Sequence, residues 1–298
     1  MNDISTEQVY RFTTDGPLHL DVDLRAGDLL VTAVEADDHA QVEVEVHPMD
    51  PHHATDVEAA AQTRVEFIDG KLSVVAPRDR LRALSSRPRA VRVLARVPSG
   101  SSLHSKTGLG DIATDGTLGD CRVATGAGRL RVASGTEVSA TTGAGDVTVE
   151  QATGSLHIRT GSGSVVVGEA AGPVTIGNGN GDTTVETVAG VLRVRAGNGR
   201  VNVGRAARDL DVRSSNGPLA VGEVVQGDVA LATAMGDVEV GIAEGTAALL
   251  KVRTQFGRVD NQLTSVDGPA REDRRVVVDA HTSFGDIRIV RAAPGSTR

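Results

Sequence analysis

Eight cationic side chains recur at matching places in one repeated strand: Arg122, His157, Arg159, Arg193, Arg195, Arg213, Lys251 and Arg253. Each follows an apolar residue, as in Leu156-His157-Ile158-Arg159 and Leu250-Lys251-Val252-Arg253. Side chains alternate faces along a strand, so the cations share the face opposite the apolar ones. Guanidinium forks match the paired oxygens of phosphate and carboxylate groups. A regular line of them suits electrostatic binding of an acidic polymer or an acidic partner protein. Arg159, Arg193, Arg195 and Arg213 are expected within roughly 10 to 15 Å of one another at ordinary strand spacing, with Lys251 and Arg253 continuing the face.

A second chemistry-bearing pattern is Gly-x-Gly followed by a charge. After the second glycine the series runs Asp111, Arg129, Asp146, Ser164, Asp182, Arg200, Pro218, Asp237, Arg258 and Asp286. A calcium site of the repeat-toxin kind needs carboxylates converging from both half-turns. Acids here alternate with arginines instead, which predicts an ion-pair ladder, with Asp146 between Arg129 and Ser164 and Asp237 next to Arg258. His47, His52 and His53 lack a Cys or Glu framework for a metal and read as structural or exposed. No Lys-Ser/Thr follows a glycine loop, so phosphate-loop chemistry is excluded. Ice binding needs outward threonines, and the repeated threonines here point inward. No catalytic residue, cofactor site or metal site is predicted.

The elements that must position these groups follow from the glycines. Gly110, Gly128, Gly145, Gly163, Gly181, Gly199, Gly217, Gly236, Gly257 and Gly285 recur in steps of 18, 17, 18, 18, 18, 18, 19, 21 and 28. Two short apolar alternations per period are what a chain wound into a β-solenoid produces. The spacing predicts an all-β, parallel β-solenoid (β-helix) of about ten 18-residue coils over 99–291, two main strands per coil. Thr107, Thr125, Thr142, Thr160, Thr233, Thr254 and Thr282 are expected to close each coil from inside. Between the two glycines lie Leu109, Ala127, Ala144, Ser162, Asn180, Asn198, Asn216, Met235, Phe256 and Phe284. This predicts an asparagine ladder, with the last Met and Phe residues covering the final coils. Cys121 shares parity with Val123 and Thr125 and is expected inside.

Residues 1–98 read as a β-rich capping region, either degenerate coils or a small separate sheet. A short helix is expected over 51–62, with Asp50 as N-cap and Pro51 at the first helical position. Asp69-Gly70 predicts a hairpin between 65–67 and 72–75. Arg78, Arg80, Arg82, Arg87 and Arg89 read as an exposed loop, residues 263–275 as a loop inserted between the last two coils, and 292–298 as a flexible tail.

The opening pattern Leu18 to Val34 around Gly27, the strand Val91 to Gly100 and the repeated Thr-Gly-x-Gly-Asp-Val-x-Val resemble the bacterial putative-adhesin β-strand-repeat family, domain of unknown function 4097. The resemblance implies a parallel β-solenoid with no established activity and no catalytic residues.

Bulk properties agree with a binding or scaffold role. The chain has 298 residues, a formal charge of −8, one Tyr and no Trp. That balance opposes general nucleic-acid affinity, and so few aromatics leave little to stack on sugars. The opening MNDISTEQVYR lacks the basic start and apolar run of an export signal, and no apolar run is long enough to span a membrane. A cytoplasmic, non-enzymatic β-solenoid scaffold or binding protein is expected, capable of weak homo-oligomers through its solenoid ends. The alternatives are a filament similar to bactofilins, built by strand pairing at open ends, and a carbohydrate-active β-helix enzyme.

Overall fold

Alternating apolar and polar residues between glycine turns make nearly every element of this protein a strand. The computed structural model describes residues 8–35, 40–77, 89–264 and 274–292. The arginine-bearing stretch 78–88, most of the expected 263–275 insertion and the tail from 293 lie outside them. The fold is a parallel β-solenoid, and the chain forms two compact units, Met1–Val149 and Glu150–Arg298.

In the first unit, β1 (Gln8–Thr14), β2 (His19–Val34) and β3 (Ala40–Pro48) precede the helix α1 (Ala54–Gln62). Then follow β4 (Arg64–Ile68), β5 (Lys71–Val75), β6 (Val91–Pro98), β7 (Ser102–Leu109), β8 (Ile112–Ala127) and β9 (Leu130–Ala144). Strand β2 is a true coil. Its first half pairs in parallel with β5 and β7, and its second half with β6 and β8. Beyond it the pairing turns antiparallel, β6–β3–β1 in one row and β5–β4 in the other. The capping region is therefore one degenerate coil extended by antiparallel strands of the same sheet. The expected hairpin is present, with Asp69 at φ 49 and Gly70 at φ 75, the two positive angles of a type I′ turn.

The helix begins later than its sequence suggests. Asp50 Oδ1 accepts the His52 N–H at 3.0 Å, so the side chain closes a turn two residues on instead of capping. Pro51 lies in that turn, and the N-cap position falls to His53, which makes no side-chain cap. Asp56, Ala59 and Ala60 form the buried stripe, and Asp56 Oδ1 accepts the Ala90 N–H at 3.1 Å.

The division between units falls within β10 (Val147–Ala152). The second unit continues with β11 (Leu156–Ser162), β12 (Val165–Ala170), β13 (Val174–Asn180), β14 (Thr183–Val188) and β15 (Leu192–Asn198). Next come β16 (Val201–Ala206), β17 (Leu210–Asn216), β18 (Leu219–Val224), β19 (Gly227–Met235) and β20 (Val238–Ile242). The last four are β21 (Thr246–Phe256), β22 (Val259–Asn261), β23 (Arg274–Phe284) and β24 (Ile287–Arg291). One row stacks in parallel as β11–β13–β15–β17–β19 and the other as β12–β14–β16–β18–β20.

After β19 and β20 the order in space departs from the order in sequence. Strand β23 lies between β19 and β21, and β24 between β20 and β22. The last coil of the chain is slotted inside the one before it, and β21 with β22 becomes the terminal rung. Asp237 and Arg258, expected as neighbours, are consequently separated by Asp286.

Glycine and threonine recur for a shared reason. At Gly217 φ is +134, and an added Cβ would lie 2.0 Å from the Gly199 carbonyl oxygen, so the turn of one coil admits no side chain against the next. The carbonyls at these turns also need donors. Thr125 Oγ1 donates to Gly110 O at 3.0 Å, Thr233 to Gly217 O at 3.1 Å and Thr282 to Gly236 O at 2.9 Å. Thr107, Thr125, Thr142, Thr160, Thr233 and Thr282 are buried as expected, while Thr254 on the terminal rung is half-exposed. Cys121 is fully buried, and burial pushes its thiol up to about 12.

Candidate binding face

Strand register places the cations of the second unit in two outward rows. One runs His157, Thr175, Arg193, Asp211, Ala230, Asp279, Lys251; the other runs Arg159, Gly177, Arg195, Arg213, Ala232, His281, Arg253. Arg193 and Arg195 share a strand, Arg213 is one rung away and Arg159 two, so the four predicted arginines form one cluster. Inward neighbours such as Ile158, Val194 and Val212 are buried, and rotation of the strand would expose them. That packing holds the guanidiniums on the outer face.

Sequence reasoning missed the carboxylate at the centre of this cluster. Asp211 Oδ2 accepts from Arg195 Nη2 at 2.7 Å, and its Oδ1 lies 3.3 Å from Arg213 Nε. The hydrogen bond from Arg195, reinforced by the charges of Arg195 and Arg213, holds its carboxyl below the usual carboxylate range against a smaller opposing effect of burial. Asp211 stays ionised and is no proton donor at neutral pH. Its signal was legible, since it has the same outward parity as Arg213. Neither Arg159 nor Arg193 has an ion-pair partner among the described residues.

Lys251 and Arg253 do not join the cluster. The inserted coil puts Ala232 and His281 between Arg213 and Arg253, three strand steps or roughly 14 Å. Arg122 belongs to the first unit, where its register neighbours are His104 and Ser139. A further basic locus lies elsewhere in the second unit, where Arg208, Arg274 and Arg275, with Asp209, line a shallow depression of about 470 Å³.

The Gly-Asp motif works chiefly on the backbone. Asp111 Oδ1 accepts the Arg129 N–H, Asp182 Oδ1 the Arg200 N–H, Asp237 Oδ1 the Asp286 N–H and Asp286 Oδ1 the Arg258 N–H, each at 2.8 Å. Only some steps add a side-chain ion pair, as Arg129 does with Asp111 at 3.0 Å. The recurring aspartate is thus an acceptor for the next coil's turn amide, whatever residue carries that amide.

The ladder between the glycines is also outward. Asn198 Nδ2 donates to Asn180 Oδ1 at 2.7 Å and Asn216 Nδ2 to Asn198 Oδ1 at 2.8 Å. Met235, Phe284 and Phe256 continue this line. They are 57%, 53% and 65% exposed, so they decorate the surface and do not cover the last coils. His47 lies beside Glu45, Nε2 to Oε2 2.9 Å, while His52 and His53 are exposed in the turn before α1. Among the described residues no three His, Cys, Asp or Glu side chains are grouped to hold a metal, and no helix is long and apolar enough to cross a membrane.

Parallel coils closed by glycine turns, with the charged side chains of their strands on the outer face, define a β-solenoid repeat protein. The Toastrack DUF4097 family model matches residues 18–293, and the chain belongs to that family. No curated protein matches it. Among solved structures it is similar to a putative adhesin from Parabacteroides merdae, at 11% identity over 96% of this chain and 97% of that one, TM-score 0.35. A putative lipid binding protein from Parabacteroides distasonis is similar at 9% identity over 96% and 97%, TM-score 0.32. A putative adhesin from Bacteroides fragilis is similar at 9% over 95% and 97%, TM-score 0.30.

Proposed function

We propose that this protein is a non-catalytic β-solenoid that binds an acidic polymer or an acidic partner protein on the outer face of β11, β15 and β17. The observation that carries this reading is the cluster of Arg159, Arg193, Arg195 and Arg213 in strand register, with two of the four guanidiniums unpaired among the described residues. Their flat, regular presentation suits a ligand that repeats its negative charge. Asp211 tempers the cluster, so the binding is weak and depends on salt. The single carboxylate at its centre remains ionised between two arginines, which supports binding over acid–base chemistry.

Polyphosphate and heparin titrations at low salt test the proposal. Wild type is expected to bind, Arg159→Ser/Arg193→Ser/Arg195→Ser/Arg213→Ser to lose most of the affinity, and Asp211→Asn to bind roughly threefold more tightly because one competing acceptor charge is removed. Equal binding by wild type and the quadruple variant would leave the cluster as solvated surface only.

A further inference from the structure

The terminal rung carries a second surface that the arginine cluster does not explain. Among the described residues β21 pairs in register with β23 and with no other strand, so one edge of this eleven-residue strand has no strand beside it, and of its carbonyls Arg253 O is met by His281 Nδ1 at 3.2 Å. Its inward residues Leu250 and Val252 are half-exposed, whereas Val278 and Ala280, their register partners on β23, are fully buried. On β22, Val259 is 45% exposed beside a fully buried Ile287. The solenoid interior therefore opens on this side as an apolar strip.

Charge decides what fits there. Lys251 and Arg253 project from β21 without ion-pair partners among the described residues, and Arg258 is exposed nearby. Cations on an edge strand set two copies of one sheet against each other, which disfavours a second copy of this chain. They favour a strand bearing acids at those places.

The molecule already contains a template for such a strand. On the occupied edge of β21, β23 sets Val278 and Ala280 beside Leu250 and Val252, Asp279 beside Lys251, and Phe284 beside Phe256. The two rings stack with centroids 4.9 Å apart and planes 9° from parallel, close to the strand spacing of about 4.8 Å. Phe256 has its other ring face left over, one strand step further on.

We infer that this edge receives an extended, alternately apolar and acidic segment of a partner protein, which adds one strand beside β21 and lays an aromatic side chain on Phe256. Backbone hydrogen bonds supply affinity, while the alternate side chains select the sequence. The inference stands apart from the polyanion reading, because it uses different residues and a different ligand.

A labelled peptide copying residues 276–284, with glutamate where His281 stands, tests it by fluorescence anisotropy against the full chain. Saturable binding in the micromolar range is expected. Lys251→Glu/Arg253→Glu should weaken it roughly tenfold, from two attractions turned to repulsions, and should instead bind a peptide with lysines at both acidic places. Phe256→Ala should weaken the acidic peptide independently, and Arg159→Ser/Arg193→Ser/Arg195→Ser/Arg213→Ser should leave it unchanged. The inference is overturned by absent saturation, by equal affinity of the charge-reversed variant, or by displacement with polyphosphate. A concentration-dependent dimer in sedimentation that Phe256→Ala abolishes would also overturn it, by assigning the edge to a second copy.

Discussion

The four phenylalanines of this protein form two pairs that do opposite things. In the first unit Phe12 on β1 and Phe67 on β4 meet with centroids 5.3 Å apart and planes tilted by 39°. Their register partners Val42 and Leu72 are fully buried, so both rings face the interior and fill it where the two rows of strands stop. In the second unit Phe256 and Phe284 stack on the outside, continuing a line of asparagines, while the interior beside them stays open. The difference lies in parity. A bulky residue in phase with the core strands plugs the solenoid, and the same residue between the two turn glycines only extends an exterior ladder.

The largest expected contrast is in thiol reactivity. Cys121 occupies the inward position that Leu250 occupies on the terminal rung. With its pKa near 12 and its sulfur enclosed, Cys121 should resist a thiol reagent at pH 8 until denaturant is added. Leu250→Cys in a Cys121→Ala background should be labelled at least about a hundredfold faster, thiolate and access being what control the rate. Equal rates would mean that the terminal rung is closed.

Stability separates the aromatic pairs next. Phe67→Ala should cost about 2 to 3 kcal/mol in urea unfolding, a half-buried version of the usual core loss. Phe256→Ala should cost below about 1 kcal/mol, the range of an exposed aromatic pair. If the two losses were equal, parity would not be what distinguishes them.

The smallest effect belongs to Asp211. Its carboxyl is held below 3.8 by Arg195 first and Arg213 second. A depressed folded-state value contributes stability above the unfolded-state value that is lost as pH falls through the folded one. Asp211→Asn should therefore cost about 0.2 to 1 kcal/mol at pH 7. That difference should shrink as the pH falls below 3.8.

Much of this architecture was legible because repeats report their own geometry. Glycine spacing marked the turns, and alternation assigned Cys121, Val194 and the buried threonines to the interior and the arginines to the outside. The asparagine ladder followed from spacing alone. Parity also contained the answer for Phe256 and Phe284, yet the expectation that large apolar residues cover an end overrode it. Asp211 has the outward parity too, but alternation reports only the face a side chain takes, not which charges meet on it, as Asp211 does with Arg195 and Arg213. The order of the last coils had no comparable signal. Consecutive coils present nearly the same inward residues, so Leu231 is matched as well by Ala280 of one coil as by Val252 of another. The step of 28 between Gly257 and Gly285 showed that extra chain was present, without showing that it carries the last coil back past its predecessor.

That reversed order has a consequence for how the protein is made. Chains emerge from the ribosome N-terminus first, so β19 and β21 are both available before β23 exists. Each presents the other with a compatible parallel neighbour, so a provisional β19–β21 pairing is expected until β23 is made. Such a pairing has to part before residues 274–291 can take their places in the two rows. The strand order of the second unit is thus settled only once β23 and β24 have been made, and a chain cut before β23 is expected to bring β21 beside β19.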